Sequence, residues 1–421
     1  MTSPLASPIT LPNGSVLPNR LGKSAMTEGL ADKQDLPTPA LTQLYKTWSQ
    51  GGTGLHITGN VMVDKRYLER AGNVVLEDNK NLALFRDWAK QGTIAGNHLW
   101  VQLNHPGRQC PRMVSTTPLS PSDVQLDILG NFGKPRPMDQ SDIEEVIRRF
   151  ISSAQLVKDA GFSGVQIHCA HGYLLSQFLS PKINQRQDQW GGSLENRARI
   201  IRRIIVGVRE VVGSDFPIGV KLNSADFQKG GFSLEDCITV ARWLGEDGVD
   251  LLEISGGTYE QLSLIGVEPT DVRESTRKRE AYFIEYAEQI KQSAQIPIMI
   301  TGGFRSRDVM EQAVAKGEVD VIGLARPLCT EPDCSTKLLQ QEIQSLDCYE
   351  NKLVLGSGFW GNNSPSNLIK AINSFGQVGF YYWQIIRLSK GLTPEPKLGT
   401  FMAFLKHMTN DFKLNMRRKF G

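Results

Sequence analysis

The chain has 421 residues, of which 40% are hydrophobic and 22% are charged. This length and composition predict one large α/β domain with appendages, and they exclude an intrinsically disordered chain. The formal net charge of +3 is uneven, because residues 366–421 carry nine Lys and Arg against two acidic residues, which leaves the preceding part at −4. We expect an anionic partner to meet this basic tail, and we expect no nucleic acid as a partner.

The first residues and the spacing of the cysteines indicate the cellular compartment of the protein. Residues 1–8 have neither a basic start nor an apolar run, so we expect no secretory signal. Six cysteines lie scattered without paired spacing, at positions 110, 169, 237, 329, 334 and 348. This distribution is typical of thiols in a reducing compartment and predicts a cytoplasmic protein. The last three cysteines do not match an iron–sulfur site, which needs four thiolates at tighter spacing.

The strand and helix signals follow one another in a regular order. Two short apolar runs flank Asn13-Gly14, which predicts a β-hairpin with a two-residue turn, and we expect it to plug the bottom of the domain. Amphipathic helical stretches then separate the strand candidates, and one of them has Ser141 and Glu144 at the spacing of a capping box. The strand candidates are residues 22–26, 53–59, 99–104, 164–168, 218–223, 249–255, 296–301 and 319–324. Eight such units predict a (β/α)8 TIM barrel with its active site at the carboxyl ends of the strands.

Two histidines and a tyrosine follow the fourth strand candidate, where an apolar run gives way to a loop. His168 and His171 are spaced so that both can direct an N–H group toward one oxygen, which would polarise a carbonyl. A phenol with an ordinary pKa of about 10 keeps its proton at neutral pH, so Tyr173 is suited to giving a proton. The pattern favours reduction of a polarised double bond. The alternatives are a zinc site, for which a third ligand is missing, and imidazoles that only satisfy buried backbone groups.

Two glycines and an arginine follow the last two strand candidates. Gly302 and Gly303 come after the seventh candidate, and Arg326 comes after the eighth. The loops at these positions of a TIM barrel frequently bind phosphate, because backbone N–H groups and a helix N-terminus meet there. The sequence has no Gly-x-Gly-x-x-Gly motif after a strand, which argues against a Rossmann-type nicotinamide site.

The run from His168 to Arg197 resembles the signature of the old yellow enzyme family, the FMN-dependent NAD(P)H:flavin oxidoreductases. Weaker motifs extend the resemblance from about Asn19 to Leu328. The resemblance implies an FMN-binding barrel over residues 1–345, with non-covalent FMN and with NAD(P)H as the reductant. It also implies reduction of the activated C=C bond of an α,β-unsaturated carbonyl. His168 and His171 would hold the acceptor oxygen, and Tyr173 would protonate Cα.

The same resemblance implies which residues contact the flavin. It places the Thr27 hydroxyl near O4 and N5 and the Gln102 amide at the pyrimidine edge. Many relatives carry Arg where this chain has Lys221, whose charge would lie near N1 and O2 and stabilise the reduced, anionic flavin. The expected cofactor-binding residues are Ala25, Met26, Thr27, Gly59, Gln102, Lys221, Gly302, Gly303, Ala325 and Arg326. No metal is expected at this site.

Two other functions stay open at this point. A buried lysine with a lowered pKa attacks carbonyl groups, so Lys221 would suit an aldolase-like lyase that works through a Schiff base. A barrel that binds flavin without catalysis is the second alternative, although no inert residue replaces a catalytic one in the site. Borohydride trapping of a covalent adduct at Lys221 would distinguish the lyase from the C=C reductase. Stopped-flow measurement of flavin reduction would distinguish the non-catalytic barrel.

Residues 346–421 form a C-terminal extension that we expect to be helical, basic and rich in aromatic residues. The apolar run around Phe380 is too interrupted to predict a membrane span. Three burial sites compete for its aromatic side chains: the flank of the barrel, a partner subunit in a homo-oligomer, and the interface of an anionic membrane. The prediction is therefore a cytoplasmic protein, with peripheral membrane contact through the tail as an alternative.

Overall fold

The computed structural model describes residues 3–126, 130–226, 230–255 and 287–420. Eight parallel strands form a closed barrel, in which the first strand pairs with both the second and the eighth. The strands are β1 (Leu21–Lys23), β2 (Leu55–Met62), β3 (His98–Asn104), β4 (Gly164–Cys169), β5 (Ile218–Asn223), β6 (Leu251–Ser255), β7 (Ile298–Thr301) and β8 (Val321–Leu324). The helices among them include Pro39–Ser49, Leu82–Gln91, Gln140–Asp159, Leu194–Val212, Leu234–Glu246 and Arg307–Ala315. The predicted (β/α)8 barrel is confirmed.

The strands form where the sequence supplies apolar runs, because a parallel barrel strand is covered on both faces. Every residue of β4, β5 and β6 is buried. The bounds of the first two strands differ from the prediction. β1 ends at Lys23 rather than at residue 26, and β2 continues to Met62 through an irregularity between Ile57 and Asn60. Gly59 therefore lies inside β2 and not at its end.

The N-terminal hairpin closes the amino-terminal end of the barrel. Ile9–Thr10 pairs with Val16–Leu17 in antiparallel fashion. The turn holds three residues and not the predicted two, because Leu11 N–H donates to the Ser15 carbonyl and Gly14 adopts a φ of 88°. The hairpin packs on apolar side chains from the starts of the strands, and together they form one cluster of Ile9, Leu11, Leu17, Leu55, Ile57, Trp100, Leu251, Met299 and Val321.

The helix after β3 begins two residues earlier than its sequence pattern suggested. Its N-cap is Asp139, whose side chain accepts the backbone N–H of Asp142, and the carboxylate of Asp142 accepts the N–H of Asp139 in return. The predicted capping box at Ser141 is therefore wrong. Ser141 is already helical, and its hydroxyl donates to Asp139 Oδ1 at 2.7 Å.

The C-terminal extension folds into a pair of helices, the first tail helix (Asn367–Leu388) and the second tail helix (Thr400–Phe420). They approach closely at two glycines. A Cβ on Gly376 would lie 2.6 Å from Thr400 Cγ2, and one on Gly379 would lie 2.5 Å from the Ala403 carbonyl oxygen. Within the described ranges, no helix is long and apolar enough to cross a membrane.

The tail helices pack on the barrel at its carboxyl end. Ile385 and Leu388 of the first tail helix belong to the main barrel core cluster. Two ion pairs join the second tail helix to the loops that follow β1 and β2, Asp411 with Arg70 and Arg418 with Asp35. The flank of the barrel therefore buries part of the tail. Contact of the remaining tail surface with a partner subunit or with a membrane stays a prediction. The division of the chain at residue 345 also stays a prediction.

Lys23 on β1 is fully buried between the barrel and the helix Pro39–Ser49. Its Nζ donates to the Ile57 carbonyl at 2.8 Å and lies 4.5 Å from the centre of the Trp48 ring. Burial lowers the pKa of Lys23 from 10.5 to about 8. Above pH 8 the folded chain has lost this proton while the unfolded chain still binds it, so the contribution of Lys23 to the free energy of unfolding rises with pH.

We therefore expect Lys23→Met to stabilise the protein more at pH 7 than at pH 9.5, by a difference of about 2 kcal/mol. The reason is that methionine does not titrate and carries no buried charge. Urea unfolding at both pH values measures the difference, with Lys90→Met at an exposed position as the control. Equal effects of Lys23→Met at the two pH values would contradict a lowered pKa.

Candidate active site

The two histidines and the tyrosine meet at the carboxyl end of β4. His168 belongs to β4, His171 lies in the following loop, and Tyr173 is the N-cap of the short helix Leu174–Leu179. The ring centres of His168 and His171 are 5.1 Å apart, and those of His168 and Tyr173 are 4.9 Å apart, both edge to face. All three side chains are buried. The structure therefore brings together the three residues that the sequence singled out.

Hydrogen bonds and burial determine the protonation state of the two imidazoles. His168 Nδ1 accepts the backbone N–H of Ala170 at 3.1 Å, so a neutral His168 carries its proton on Nε2. His171 Nε2 lies 2.6 Å from the hydroxyl oxygen of Ser255 at the end of β6. Burial, and after it neighbouring groups that include Lys221, lower the pKa of both histidines well below 6.5. Both rings are therefore neutral at physiological pH.

The backbone of His171 is held in a left-handed conformation with a φ of 61°. This conformation costs a residue other than glycine of order 1–3 kcal/mol, so surrounding bonds must maintain it. The His171 N–H donates to Asn223 Oδ1 at 3.0 Å, and its carbonyl accepts from Gln109 Nε2 at 2.9 Å. Asn223 and Ser255 were missed from the sequence, because each is a single polar residue at the end of a distant strand.

Gln102 and Lys221 lie inside the barrel, buried on β3 and β5. Gln102 Nε2 donates to Gln166 Oε1 at 2.6 Å. Lys221 Nζ lies 3.0 Å from Glu253 Oε1 in an ion pair whose two side chains are almost completely buried. Sequence reasoning missed Glu253, although a lone carboxylate within the buried run of β6 signals a buried cation nearby.

The residues after β1 lie beside β2. Thr27 Oγ1 donates to Glu69 Oε2 at 3.0 Å, and Met26 Sδ lies 3.5 Å from the Cys329 thiol. Ala25 is half-buried against the apolar cluster that the N-terminal hairpin forms with the barrel strands. At Gly59, a Cβ would come 2.1 Å from Glu28 Oε2 and 2.4 Å from the Met26 carbonyl oxygen. This position needs glycine because protein atoms already fill the space next to its Cα.

The loops after β7 and β8 lie next to the residues that follow β1, because β8 pairs with β1. Gly302 and Gly303 both have positive φ values, of 112° and 84°, and a Cβ on Gly302 would meet no atom of the described residues within 4 Å. Arg326 follows the half-buried Ala325, and its side chain is 44% exposed. Arg305 and Arg326 both contact the Glu350 carboxylate, at 3.2 and 2.8 Å.

Glu350 was not a candidate in the sequence, because it lies in the segment between the barrel and the tail helices. Its burial alone would raise the pKa of the carboxyl group, but Arg326 and then Arg305 outweigh burial and lower this pKa to about 2. Glu350 is therefore a permanent anion between the two guanidinium groups. Only the two guanidinium groups carry the charge that attracts a phosphate, and the Glu350 carboxylate holds both of them and offsets part of that charge.

The zinc and iron–sulfur alternatives can be checked among the described residues. Among those residues, no group of three His, Cys, Asp or Glu side chains is arranged to hold a metal ion. The two imidazoles are instead engaged with Ala170 and Ser255, and burial raises the pKa of the Cys329 and Cys334 thiols to about 12. The site thus combines the neutral imidazoles and phenol after β4 with ion pairs of Lys221 with Glu253 and of Arg326 with Glu350.

Comparison with known proteins identifies the family. Residues 4–344 match the model of the NADH:flavin oxidoreductase / NADH oxidase family. The chain is 37% identical over 362 residues to the NADH-dependent flavin oxidoreductase iliE of Hypocrea jecorina, an alignment that covers 81% of this chain and 90% of that protein. It is 34% identical to the NADH oxidase of Thermoanaerobacter brockii over 76% of this chain, and it spans about half of that longer protein, 48% of its length.

Solved structures agree with this assignment. A 2-naphthoyl-CoA reductase in complex with 2-naphthoyl-CoA aligns with a TM-score of 0.75 and 26% identity, over 81% of this chain and 53% of that chain. The old yellow enzyme homologue of Zymomonas mobilis aligns with a TM-score of 0.69 over 86% of this chain and 99% of that chain. Its 21% identity shows the fold alone. On the strength of the family match and of a relative that aligns over 90% of its own length, the chain belongs to the NADH:flavin oxidoreductase / NADH oxidase family.

Proposed function

We propose that this flavin oxidoreductase uses NAD(P)H to reduce the activated C=C bond of α,β-unsaturated carbonyl compounds. The observation that carries the proposal is the contact of His168, His171 and Tyr173 in one buried corner at the carboxyl end of the barrel. The 2-naphthoyl-CoA reductase among the solved relatives is named for a conjugated acyl group, which supports an acceptor with a carbonyl next to unsaturation.

The residues of the barrel fit FMN, the cofactor of the family. At one end, Arg305 and Arg326 are the cations of a phosphate site, and no described residue blocks the approach of a phosphate to the backbone of Gly302. At the other end, Gln102 and Lys221 supply an amide and an ammonium group for the pyrimidine edge of the ring. We assign Ala25, Met26, Thr27, Gly303 and Ala325 to backbone and hydroxyl contacts with the same cofactor. A contact from Gly59 stays a prediction, because its N–H donates to Glu28 and protein atoms fill the space beside its Cα.

The protein side chains would act on the acceptor in three ways. When FMN is bound and reduced, it supplies a hydride to Cβ of the acceptor. The neutral His168 and His171 donate N–H groups to the acceptor oxygen and draw electron density away from Cβ. His168 does so from Nε2, because Nδ1 is engaged with the backbone. Tyr173 then gives its phenolic proton to Cα, which completes addition of one hydride and one proton across the double bond.

Neither alternative function has a matching observation in the site. Schiff-base formation needs a neutral amine, whereas Lys221 Nζ is ion-paired with Glu253 at 3.0 Å. A flavin-binding barrel without catalysis does not explain why two imidazoles and a phenol converge on one corner. The C=C reductase is therefore the function that we propose.

Anaerobic half-reactions test the proposal. The protein, loaded with FMN, is first reduced with one equivalent of NADH or NADPH and then mixed with 2-cyclohexenone. We expect flavin absorbance to disappear in the first step and to return in the second, with cyclohexanone as the product. Reoxidation of the reduced enzyme by oxygen but by no enone would contradict the proposal. A covalent adduct at Lys221 after borohydride treatment would favour the lyase.

Part of the tail surface fits an anionic membrane, and we propose this peripheral contact for the second tail helix. One face of that helix presents exposed apolar side chains, which are Phe401, Met402, Leu405, Met408, Phe412 and Met416. Lys406, Lys413 and Arg417 lie beside this face at helical spacing, so apolar burial and attraction to anionic lipid act together. Cytoplasmic location and self-association stay predictions.

We expect Phe412→Glu to abolish sedimentation of the full chain with anionic liposomes at low salt, because it places a charge at the centre of the exposed face. Met113→Glu is the control, since Met113 is similarly exposed, at 69% against 65% for Phe412, but lies in the loop after β3 rather than on the second tail helix. Phosphatidylserine vesicles and pelleting measure the effect. A wild-type chain that ignores the vesicles, or that self-associates through this face, would contradict membrane contact.

A further inference from the structure

A continuous chain of polar side chains crosses the inside of the barrel. Gln102 on β3 donates to Gln166 on β4 at 2.6 Å, and Gln166 Nε2 donates to Glu253 Oε2 on β6 at 2.8 Å. The other carboxylate oxygen, Oε1, meets Lys221 Nζ on β5 at 3.0 Å and the Thr301 hydroxyl on β7 at 2.6 Å. All of these side chains except Thr301 are buried. Glu253 is the point where the branches of this network join.

Glu253 determines the direction of every hydrogen bond in the network. An ionised carboxylate only accepts, so Gln166 must turn its NH2 group toward Glu253 and its oxygen toward Gln102. Gln102 must in turn direct an N–H at Gln166, which leaves Gln102 Oε1 as the acceptor for the next donor. Thr301 gives its proton to Glu253, and the hydroxyl of Ser24 therefore donates to Thr301 across 2.6 Å.

Glu253 also cancels the charge of Lys221. The two groups form a buried ion pair, so the site presents a dipole where a lone lysine would present a full positive charge. A full positive charge beside the ring would stabilise the reduced, anionic form of a flavin, and a neutralised one stabilises it less. Nothing in the chemistry assigned above to the histidines and Tyr173 uses this carboxylate.

We propose that Glu253 is the positioning residue that sets the reduction potential and the amide orientation of the flavin site. It neutralises Lys221, which keeps the potential of bound FMN low, and it points the Gln102 carbonyl oxygen toward the pyrimidine edge. This inference rests on the proposed placement of Gln102 and Lys221 at the flavin. A low potential makes the reduced enzyme a stronger hydride donor toward weakly activated double bonds.

The test is a spectroelectrochemical titration of FMN bound to four proteins: wild type, Glu253→Gln, Lys221→Met and the double variant. Glu253→Gln leaves an unbalanced cation, so we expect the ratio of reduced to oxidised FMN at a fixed potential to rise at least tenfold. For a two-electron couple this corresponds to a midpoint about 30 mV higher. Lys221→Met should lower the midpoint, and the double variant should return it toward the wild-type value.

Asp250→Asn is the matched control, because Asp250 is also a buried carboxylate paired with a cation, Arg209, but lies at the amino-terminal end of the barrel. It should leave the midpoint unchanged. If Glu253→Gln does not fold, comparison of Lys221→Met with the double variant still isolates the charge of Glu253, since replacing both members of a buried pair is tolerated better than replacing one.

The outcomes separate the inference from the proposed function. A wild-type protein that binds no FMN overturns the function itself. FMN-loaded Glu253→Gln with the wild-type midpoint overturns the inference alone, and so does a midpoint that shifts equally in Asp250→Asn. A midpoint that rises from wild type to Glu253→Gln and from Lys221→Met to the double variant, but not in Asp250→Asn, supports it.

Discussion

Replacing Tyr173 with Phe is expected to slow reoxidation of the reduced enzyme by 2-cyclohexenone by roughly 10²- to 10⁴-fold, the usual contribution of a positioned general acid. The phenylalanine ring keeps the edge-to-face contact with His168, which joins ring centres 4.9 Å apart, but it has no proton for Cα. FMN affinity and the rate of reduction by NADH should stay within a factor of about three, because neither step needs that proton. Single-turnover stopped-flow measurements of the two half-reactions give both rates.

Tyr349→Phe serves as the control, since Tyr349 lies in the segment that precedes the tail helices and also loses only a hydroxyl. It should leave both half-reactions unchanged. If Tyr173→Phe instead abolishes reduction by NADH while cyclohexenone reoxidises the enzyme at the wild-type rate, the role of the phenol is misassigned.

Replacing Leu388 with Asp is expected to lower the free energy of unfolding by several kcal/mol and the melting temperature by roughly 5 °C or more. Leu388 is 2% exposed and packs into the main core cluster of the barrel, so the variant loses a buried leucine and buries a charge without a partner. Thermal unfolding followed by circular dichroism measures the loss.

Leu392→Asp is the matched control, because Leu392 lies four residues further along the chain and is 48% exposed. It should shift the melting temperature by no more than about 1 °C. Similar melting temperatures for the two variants would mean that the first tail helix does not belong to the folded barrel.

The fold could be predicted from the sequence because its signal is local and repeated. Each barrel strand is covered on both faces and therefore reads as an apolar run, such as Ile218–Asn223. The ends of strands were less certain. The irregularity in β2 carries that strand to Met62, and whether it continues depends on its pairing with β3, which the sequence of β2 does not contain.

The candidate site shows the same difference between residues that are close in sequence and residues that come from distant strands. His168, His171 and Tyr173 are neighbours along the chain, so their meeting needed only one strand and one loop. Glu253 and Ser255 reach the site from β6, and only the closed barrel shows that they face Lys221 and His171. Polar residues at single positions of separate strands have no spacing that could reveal their partners.

The ion pairs that join the tail to the barrel can form only late in synthesis of the chain, because their partners lie far apart in the sequence. Arg418 meets Asp35 across 383 positions of sequence, and Asp411 meets Arg70 across 341. At about 5–20 residues per second, a ribosome needs roughly 20–80 s to travel from the first partner of the longer pair to the second. The last barrel strand ends at Leu324, 94 positions before Arg418, so for roughly the final 5–20 s of this time all eight strands exist while the loops after β1 and β2 are still uncovered. During that interval a cofactor can reach the carboxyl end of the barrel before the second tail helix is in place.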